Sequence, residues 1–280
     1  MNCIKAALLQ TSVYDSKEKS LETAEKAVRE AAWEAPDFIC LPEMFCCPYV
    51  TEAFPVYAEE AGGRVWEFCS RLARKYGVWL IAGSIPEKDQ EGKIYNTSFV
   101  FNRQGEQAAR CRKAHLFDVS IENGQRFRES DTLSSGNELT VFDTEFGKIG
   151  LCICYDLRFP EYIRLMALKG AVAVFVPAAF NPTTGPAHWE LLFRSRAVDN
   201  QIYVAGIAPA RNPQSAYRSW GHTLAVDPWG TLLGELGTDP GILQVTFNLP
   251  RLHQIRRELP VLSQRRGDLY SLLPATRISG

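Results

Sequence analysis

Apolar positions along this chain follow two rhythms, a short continuous run and a helical stripe, and their order predicts the elements. Residues 4–11 and 37–43 are short apolar runs with the length of buried strands. Between them residues 16–34 are rich in Ala, Glu and Lys, which reads as a helix and gives a strand, helix, strand opening. The next helix is sharper. Val65, Phe68, Cys69, Leu72, Ala73 and Tyr76 recur at i, i+3, i+4, i+7, i+8 and i+11, a single stripe that faces a core, and Gly77 closes it.

Further strands are expected at 78–84, 94–102 and 141–143, with glycine turns at Gly92 and Gly105 marking hairpins. A second cycle opens with a strand at 148–154 and a helix over 160–169. Pro160 at its start and Gly170 at its end fit the usual capping asymmetry. Strand 172–177, helix 186–200 and strands 203–209, 223–227 and 242–248 complete the pattern, and a short helix leads into the Arg-rich tail RRELPVLSQRRGDLY. No linker, composition break or short-period repeat divides the chain, although two similar α/β halves fit the order. One α/β domain of 280 residues, with a C-terminal tail from about residue 250, is the economical expectation.

Charge narrows the partners. Lys and Arg total 31 against 32 Asp and Glu, a formal net charge of −1, with no basic run, so neither nucleic acid nor an anionic membrane is expected. The apolar run 171–180 is far short of the ~20 residues needed to span a bilayer. The N-terminal residues lack a basic leader before a long apolar stretch, and the expectation is a soluble cytoplasmic protein. Its eight cysteines are then thiols, none in C-x-x-C spacing, and the four histidines are scattered, so no metal site is expected. Asn96-Thr97-Ser98 matches a glycosylation acceptor, a chance match in a chain that is not exported.

Three segments put reactive side chains where a strand gives way to a turn, the place where α/β folds build sites: FICLPE ending at Glu43, RKAH with Lys113 and GLCICYD with Cys154. A turn after the strand would expose the Cys154 sulfur beside free backbone N–H groups, and a following helix N-terminus favours a thiolate. Taken singly, each residue also fits a plain structural role: Cys154 a small buried side chain, Glu43 an exposed strand-end carboxylate, Lys113 a solvated base. Cys152 would share the strand face of Cys154, which leaves a paired metal ligand as an alternative. Together Glu43, Lys113 and Cys154 supply a base, a cation and a nucleophile, the set that amide hydrolysis by a thiolate requires. There is no G-x-S-x-G elbow, P-loop or G-x-G-x-x-G, so serine hydrolase and nucleotide-binding readings lose their support.

At LPEMF, RKAHLFD and GLCICYDLRFPE, in this order, the sequence resembles the nitrilase, or carbon-nitrogen hydrolase, superfamily. The resemblance implies an α/β fold of the four-layer αββα sandwich type, commonly a homodimer paired through one helical face, and a Glu-Lys-Cys triad that needs no metal or organic cofactor. It makes Glu43 the general base, Lys113 the holder of the oxyanion and Cys154 the acylated nucleophile. Glu129, in RFRESDTL, matches a further family glutamate that positions the lysine and substrate. The later segments FNPTTGPAHWELLFRSRAVDNQIYVAGIAPAR, AYRSWGHTLAVDPWG and RRELPVLSQRRGDLY are similar to the omega-amidase branch, which deamidates 2-oxoglutaramate and 2-oxosuccinamate. The likeness is weaker at Pro182 and over 212–219, and the first segment is partly shared with the branch acting on deaminated glutathione. An amidase for deaminated glutathione or an N-carbamoyl amino acid, and a non-catalytic binding protein on the same fold, remain as alternatives. For a small amide substrate bearing a carboxylate, the resemblance offers Tyr49, Tyr155, Phe180 and Thr184 as pocket residues. Arg158, one turn beyond Cys154, could hold the carboxylate, or it could pair with Asp156 or Glu161.

Overall fold

A computed structural model describes residues 2–122, 126–213 and 215–272. The chain begins β1 (Cys3–Gln10), α1 (Lys17–Ala31), β2 (Phe38–Cys40), α2 (Ala53–Tyr57), α3 (Arg64–Tyr76) and β3 (Trp79–Ile81). It continues through β4 (Ile85–Lys88), β5 (Ile94–Phe101) and β6 (Gln107–Arg112) to a two-stranded ribbon, β7 (Asp118–Ser120) with β8 (Arg126–Arg128). The second cycle is β9 (Thr140–Thr144), β10 (Gly147–Leu151), α4 (Pro160–Leu168), β11 (Ala171–Pro177), α5 (Gly185–Asn200) and β12 (Tyr203–Ile207). Strands β13 (Leu224–Val226), β14 (Leu232–Glu235) and β15 (Gly241–Asn248) follow, and then α6 (Leu249–Glu258).

These strands form two larger sheets. One has the order β15-β1-β2-β3-β5-β4, with β6 on the free side of β5; the other runs β14-β13-β12-β11-β10-β9. Strands β1, β2 and β3 are parallel to one another, as are β10, β11 and β12, so each sheet has a parallel centre fed by crossover helices. Strand β15 comes back from the far end of the chain to pair with all of β1, from Cys3↔Asn248 to Gln10↔Gly241.

The period-2 alternation of each strand decides what lies on either side of the first sheet. Ile4, Ala6 and Leu8 of β1, Phe38 and Cys40 of β2 and Ile81 of β3 join the core shared with the second sheet. Their alternates, Ala7, Leu9, Ile39 and Leu80, pack with Leu21, Ala24 and Val28 of α1 and Val65, Phe68 and Leu72 of α3. On the second sheet Gly150 faces Met166 of α4 and Gly206 faces Phe193 of α5. The result is helix, sheet, sheet, helix. An aromatic ladder spans the middle: Phe38 stacks on Phe175 with ring centroids 5.4 Å apart, Phe175 meets Phe247 at 6.0 Å, and Phe247 stacks on Tyr203 at 4.6 Å.

Most expected elements are present, with local differences. Ser16 caps α1 by accepting from the Lys19 N–H at 3.2 Å, and Gly77 ends α3 in the left-handed region. The single strand expected over 78–84 is broken: β3 stops at Ile81, and Gly83, with φ 45, turns the chain into β4. The strand expected over 148–154 stops at Leu151, which leaves Cys154 beyond the ladder. Asn96, Thr97 and Ser98 are buried within β5 and present no glycan acceptor. Among the described residues no helix is long and apolar enough to cross a membrane.

Gly83 is where the fold first constrains the site. A Cβ there would lie 2.0 Å from the Pro42 carbonyl oxygen, and Ser84 holds the same segment by donating its N–H to Pro42 O at 3.3 Å and accepting the Met44 N–H at 3.1 Å. Gly83→Ala combines a left-handed φ with a backbone clash, and the expected loss is about 2–4 kcal/mol. Thermal unfolding should show Tm lower by roughly 4–12 °C; an unchanged Tm would mean that the turn relaxes freely.

Candidate active site

Glu43, Lys113, Glu129 and Cys154 come together at one end of the two sheets. Glu43 lies just beyond β2, Lys113 just beyond β6, Glu129 opens a short 3-10 turn after β8, and Cys154 opens another after β10. Glu43, Lys113 and Glu129 are fully buried and Cys154 is 5% exposed, so the site is nearly closed to water. Two residues here hold left-handed backbone that a side chain disfavours, Met44 at φ 51 and Cys154 at φ 47.

The Lys113 ammonium is the hub. Its Nζ donates to Glu43 Oε1 at 3.0 Å, to Glu129 Oε1 at 3.0 Å and to the Tyr49 hydroxyl at 3.2 Å, which uses all the protons an ammonium has. Burial by itself would lower the Lys113 pKa, but the facing charges of Glu129 and Glu43 outweigh it and hold the amine firmly charged. The carboxylates are anchored in turn. Glu43 Oε1 also accepts from Asn96 Nδ2 at 2.8 Å, and its Oε2 accepts the Ala179 N–H at 2.7 Å. Glu129 Oε2 accepts the Phe117 N–H at 2.7 Å, and its Oε1 accepts the Tyr49 hydroxyl at 2.7 Å.

Burial, reinforced by Glu129 and opposed by Lys113, raises the Glu43 carboxyl above its ordinary range, which makes it a better base. Burial and the nearby Glu43 charge push the Cys154 thiol well above its usual value, with Lys113 pulling the other way. The resting sulfur is therefore protonated, in contrast to the thiolate expected from a helix N-terminus. The helical segment at Cys154–Arg158 is a five-residue 3-10 turn, too short to offset desolvation. What the arrangement can do is pass the thiol proton to the neighbouring Glu43 carboxylate, beside a buried cation able to meet a developing oxyanion.

The pocket residues divide. Tyr49 belongs to the polar network through its hydroxyl, with its ring stacked on Phe127 at 5.5 Å. Arg158 is half-buried; its guanidinium lies 4.7 Å over the Phe180 ring and 5.7 Å from that of Tyr155, and its Nη1 meets His188 Nδ1 at 3.1 Å. Neither Asp156 nor Glu161 takes it: the Asp156 carboxylate receives the Ile153 N–H and His115 instead. Phe180 packs against Trp189 at 5.0 Å. Tyr155 sets its ring edge against Phe117 at 5.2 Å. Thr184 precedes α5 and turns its N–H and hydroxyl to Asn181 Oδ1, with no contact to the triad. Cys152 is buried in the apolar core, and no three metal-ligating side chains cluster among the described residues.

Sequence reasoning missed several contributors. Asn96 binds Glu43 through its side-chain amide and receives the Lys113 backbone N–H on its backbone carbonyl at 2.9 Å, yet in the linear sequence it is only the first of three adjacent polar residues in β5. Tyr217 lies in the loop 212–219, whose Gln214 falls outside the described residues. Its hydroxyl donates to the Ala179 carbonyl and its ring sits 4.7 Å from that of Tyr49. Burial, with Cys154 and Glu43 close by, keeps this phenol neutral. With Tyr14, Cys47, Tyr49, Ala179 and Asn212 it walls a narrow cleft that reaches Glu43. An aromatic in an otherwise polar loop was the one available signal.

Comparison with known proteins agrees with this geometry. The carbon-nitrogen hydrolase family model matches residues 5–257. The chain is 46% identical over 272 residues to the omega-amidase NIT2 of Mus musculus, covering 97% of this chain and 98% of that one. Its fold is similar to that of Saccharomyces cerevisiae Nit3, a member of branch 10 of the nitrilase superfamily, with TM-score 0.88, 41% identity and coverage of 95% and 97%. It is also similar, with TM-score 0.78, 27% identity and 95% coverage of each chain, to a mutant amidase from Nesterenkonia sp. AN1 whose active-site cysteine carries the acetamide moiety of fluoroacetamide. Motifs, layers and matches over nearly the whole length agree, and the chain belongs to the carbon-nitrogen hydrolase family.

Proposed function

We propose that this protein is an omega-amidase, a hydrolase of linear amide carbon-nitrogen bonds that converts 2-oxoglutaramate or 2-oxosuccinamate to the 2-oxo dicarboxylate and ammonia. The observation that carries the reading is the buried Lys113 ammonium held by Glu43 and Glu129 close to the Cys154 thiol. The 46% identity to an omega-amidase over nearly the full chain supports the branch. A non-catalytic binding role would leave this desolvated charge cluster without a purpose that offsets its burial.

Glu43 takes the Cys154 proton as the sulfur attacks the amide carbon, and the carbonyl oxygen becomes an oxyanion. Lys113 meets that oxyanion by turning one N–H away from Tyr49, its neutral and longest partner at 3.2 Å. Collapse breaks the carbon-nitrogen bond; the leaving amine carries off the proton held by Glu43 and departs as ammonia, leaving a thioester. Water then gives a proton to Glu43, attacks the thioester, and releases the acid and the thiol. Side chains supply the base, the acid and the cation. Glu129 holds Lys113 in place throughout.

Substrate choice rests on Arg158, with which no described carboxylate pairs; its Nη1 meets His188, and its remaining N–H groups are offered to a distal carboxylate. Phe180 and Tyr155 flank it. The reading extends to a cytoplasmic homodimer with no nucleic acid or membrane partner. Leu191 and Val198 on α5, with Trp229 beside them, are 62%, 44% and 55% exposed and offer an apolar helical face for a second copy.

Ammonia release over a panel of 2-oxoglutaramate, deaminated glutathione and an N-carbamoyl amino acid tests the assignment, and 2-oxoglutaramate should give the highest kcat/KM. Cys154→Ala should abolish release with an unchanged circular dichroism spectrum, whereas Cys152→Ala retains activity; a fully active Cys154→Ala protein would sink the mechanism.

The raised Glu43 carboxyl fixes a second outcome. The base form must be present, so the acid limb of the kcat/KM profile should lie above pH 4.5, the ordinary carboxyl value, with activity lost as the pH falls through it. A limb at or below that value would assign it to another group.

Arg158→Met should lower kcat/KM for 2-oxoglutaramate by roughly 10², the ~3 kcal/mol scale of a lost charged hydrogen bond, and affect an uncharged amide much less. Equal losses for both would show that Arg158 supports the triad and does not read the carboxylate.

A further inference from the structure

Lys113 and Cys154 are delivered by two sheets that share no strand pairing, one by β6 and the other by β10. Apolar packing between the sheets is only weakly directional and by itself leaves their ends free to slide. A buried carboxylate crosses this gap. Asp156 is fully buried, and its Oδ2 accepts the Ile153 N–H at 3.0 Å. Its Oδ1 accepts the His115 backbone N–H at 2.9 Å and meets His115 Nδ1 at 2.7 Å. Ile153 directly precedes Cys154, and His115 stands two residues beyond Lys113. A carboxylate acceptor places the ring hydrogen on Nδ1.

The imidazole plane is fixed as well. Phe159, from the same turn as the nucleophile, stacks on it with centroids 3.7 Å apart and planes 13° apart, and Tyr162 presents its edge at 5.4 Å. The turn that carries Cys154 is thus held from both sides: Asp156 donates its own N–H to Ile153 O at 3.1 Å while its side chain takes the Ile153 N–H. A left-handed, non-glycine Cys154 keeps its conformation only where its surroundings over-determine it.

We propose that Asp156 and His115 are positioning residues that tie the nucleophile turn to the strand end of Lys113, so that thiol and ammonium keep their spacing through both chemical steps. The inference rests on hydrolysis at Cys154. Neither residue touches the triad; the pair acts through the two backbone segments that it joins. A displacement of about 1 Å in such a site lowers the rate by roughly 10² while binding is spared.

Two substitutions separate positioning from packing. His115→Phe keeps the stack on Phe159 and removes the ring donor; His115→Asn sets an amide N–H where Nδ1 was and gives up the stack. With 2-oxoglutaramate, His115→Phe should lower kcat by roughly 10–100-fold with KM within about twofold and Tm within a few degrees. His115→Asn should return kcat to within about threefold of the parent enzyme. Alkylation by fluoroacetamide, read by mass spectrometry of the Cys154 peptide, needs no knowledge of the natural substrate and should slow in the same order.

A parent protein that is alkylated at Cys154 but releases ammonia from no amide would overturn the functional reading alone, since the alkylation order still tests the pair. A folded His115→Phe protein with parental kcat and alkylation rate overturns the inference, as does His115→Asn being as slow as His115→Phe. If His115→Phe does not fold, Asp156→Asn takes its place. Its amide keeps an acceptor for Ile153 but opposes N–H to N–H at His115, and unchanged kcat there is equally decisive against the pair.

Discussion

Everything at the catalytic end of this molecule answers to one constraint, an ammonium fully removed from water. Lys113 can remain charged there only if two carboxylates face it, and those carboxylates can be buried only if their other lone pairs are met. Glu43 and Glu129 each reach a backbone N–H from a different segment, Ala179 and Phe117. The cluster therefore recruits the ends of β2, β5, β6, β8, β10 and β11 into one polar knot. Loss of Lys113 would leave two buried carboxylates facing each other, and loss of any other member removes a hydrogen-bond partner from a buried charge, which is why the knot works as a unit.

The two-sheet architecture makes this knot feasible. Parallel centres in both sheets deliver Glu43, Cys154 and the segment 178–180 at strand ends, where the backbone leaves its ladder and frees N–H groups for the site. The aromatic ladder from Phe38 to Tyr203 helps to fill the space between the sheets. Polar ties then set the fine alignment, Glu43 to Ala179 on one side and Asp156 to His115 on the other.

Much of this was legible in the sequence, and the rest was not, for a physical reason. The strands and helices follow from local periodicity, and Glu43, Lys113 and Cys154 stand out because reactive side chains at strand ends are conspicuous in a linear reading. Asn96, Tyr217 and the His115–Asp156 pair act only through partners distant in the chain, and no pattern within a segment encodes that convergence. The break at Gly83 was hidden because its cause is the Pro42 carbonyl, forty-one residues earlier. The upward shift of the Cys154 thiol was not legible because its cause is burial, which no short motif records.

The protonated, enclosed sulfur has a consequence for the chemical durability of the protein. Peroxides and electrophiles react with thiolates, and here burial keeps Cys40, Cys69, Cys152 and Cys154 well above the usual thiol value, while Cys3 alone among the cysteines is exposed. An oxidant in bulk solvent meets the exposed Cys3 thiol before it meets the buried Cys154. On the proposed mechanism the thiol gives its proton to Glu43 only as the sulfur attacks a bound amide, so its reactivity would follow occupancy. Selective covalent inhibitors of this enzyme should for that reason carry an amide-like oxygen, and stronger electrophilicity alone will not reach the site.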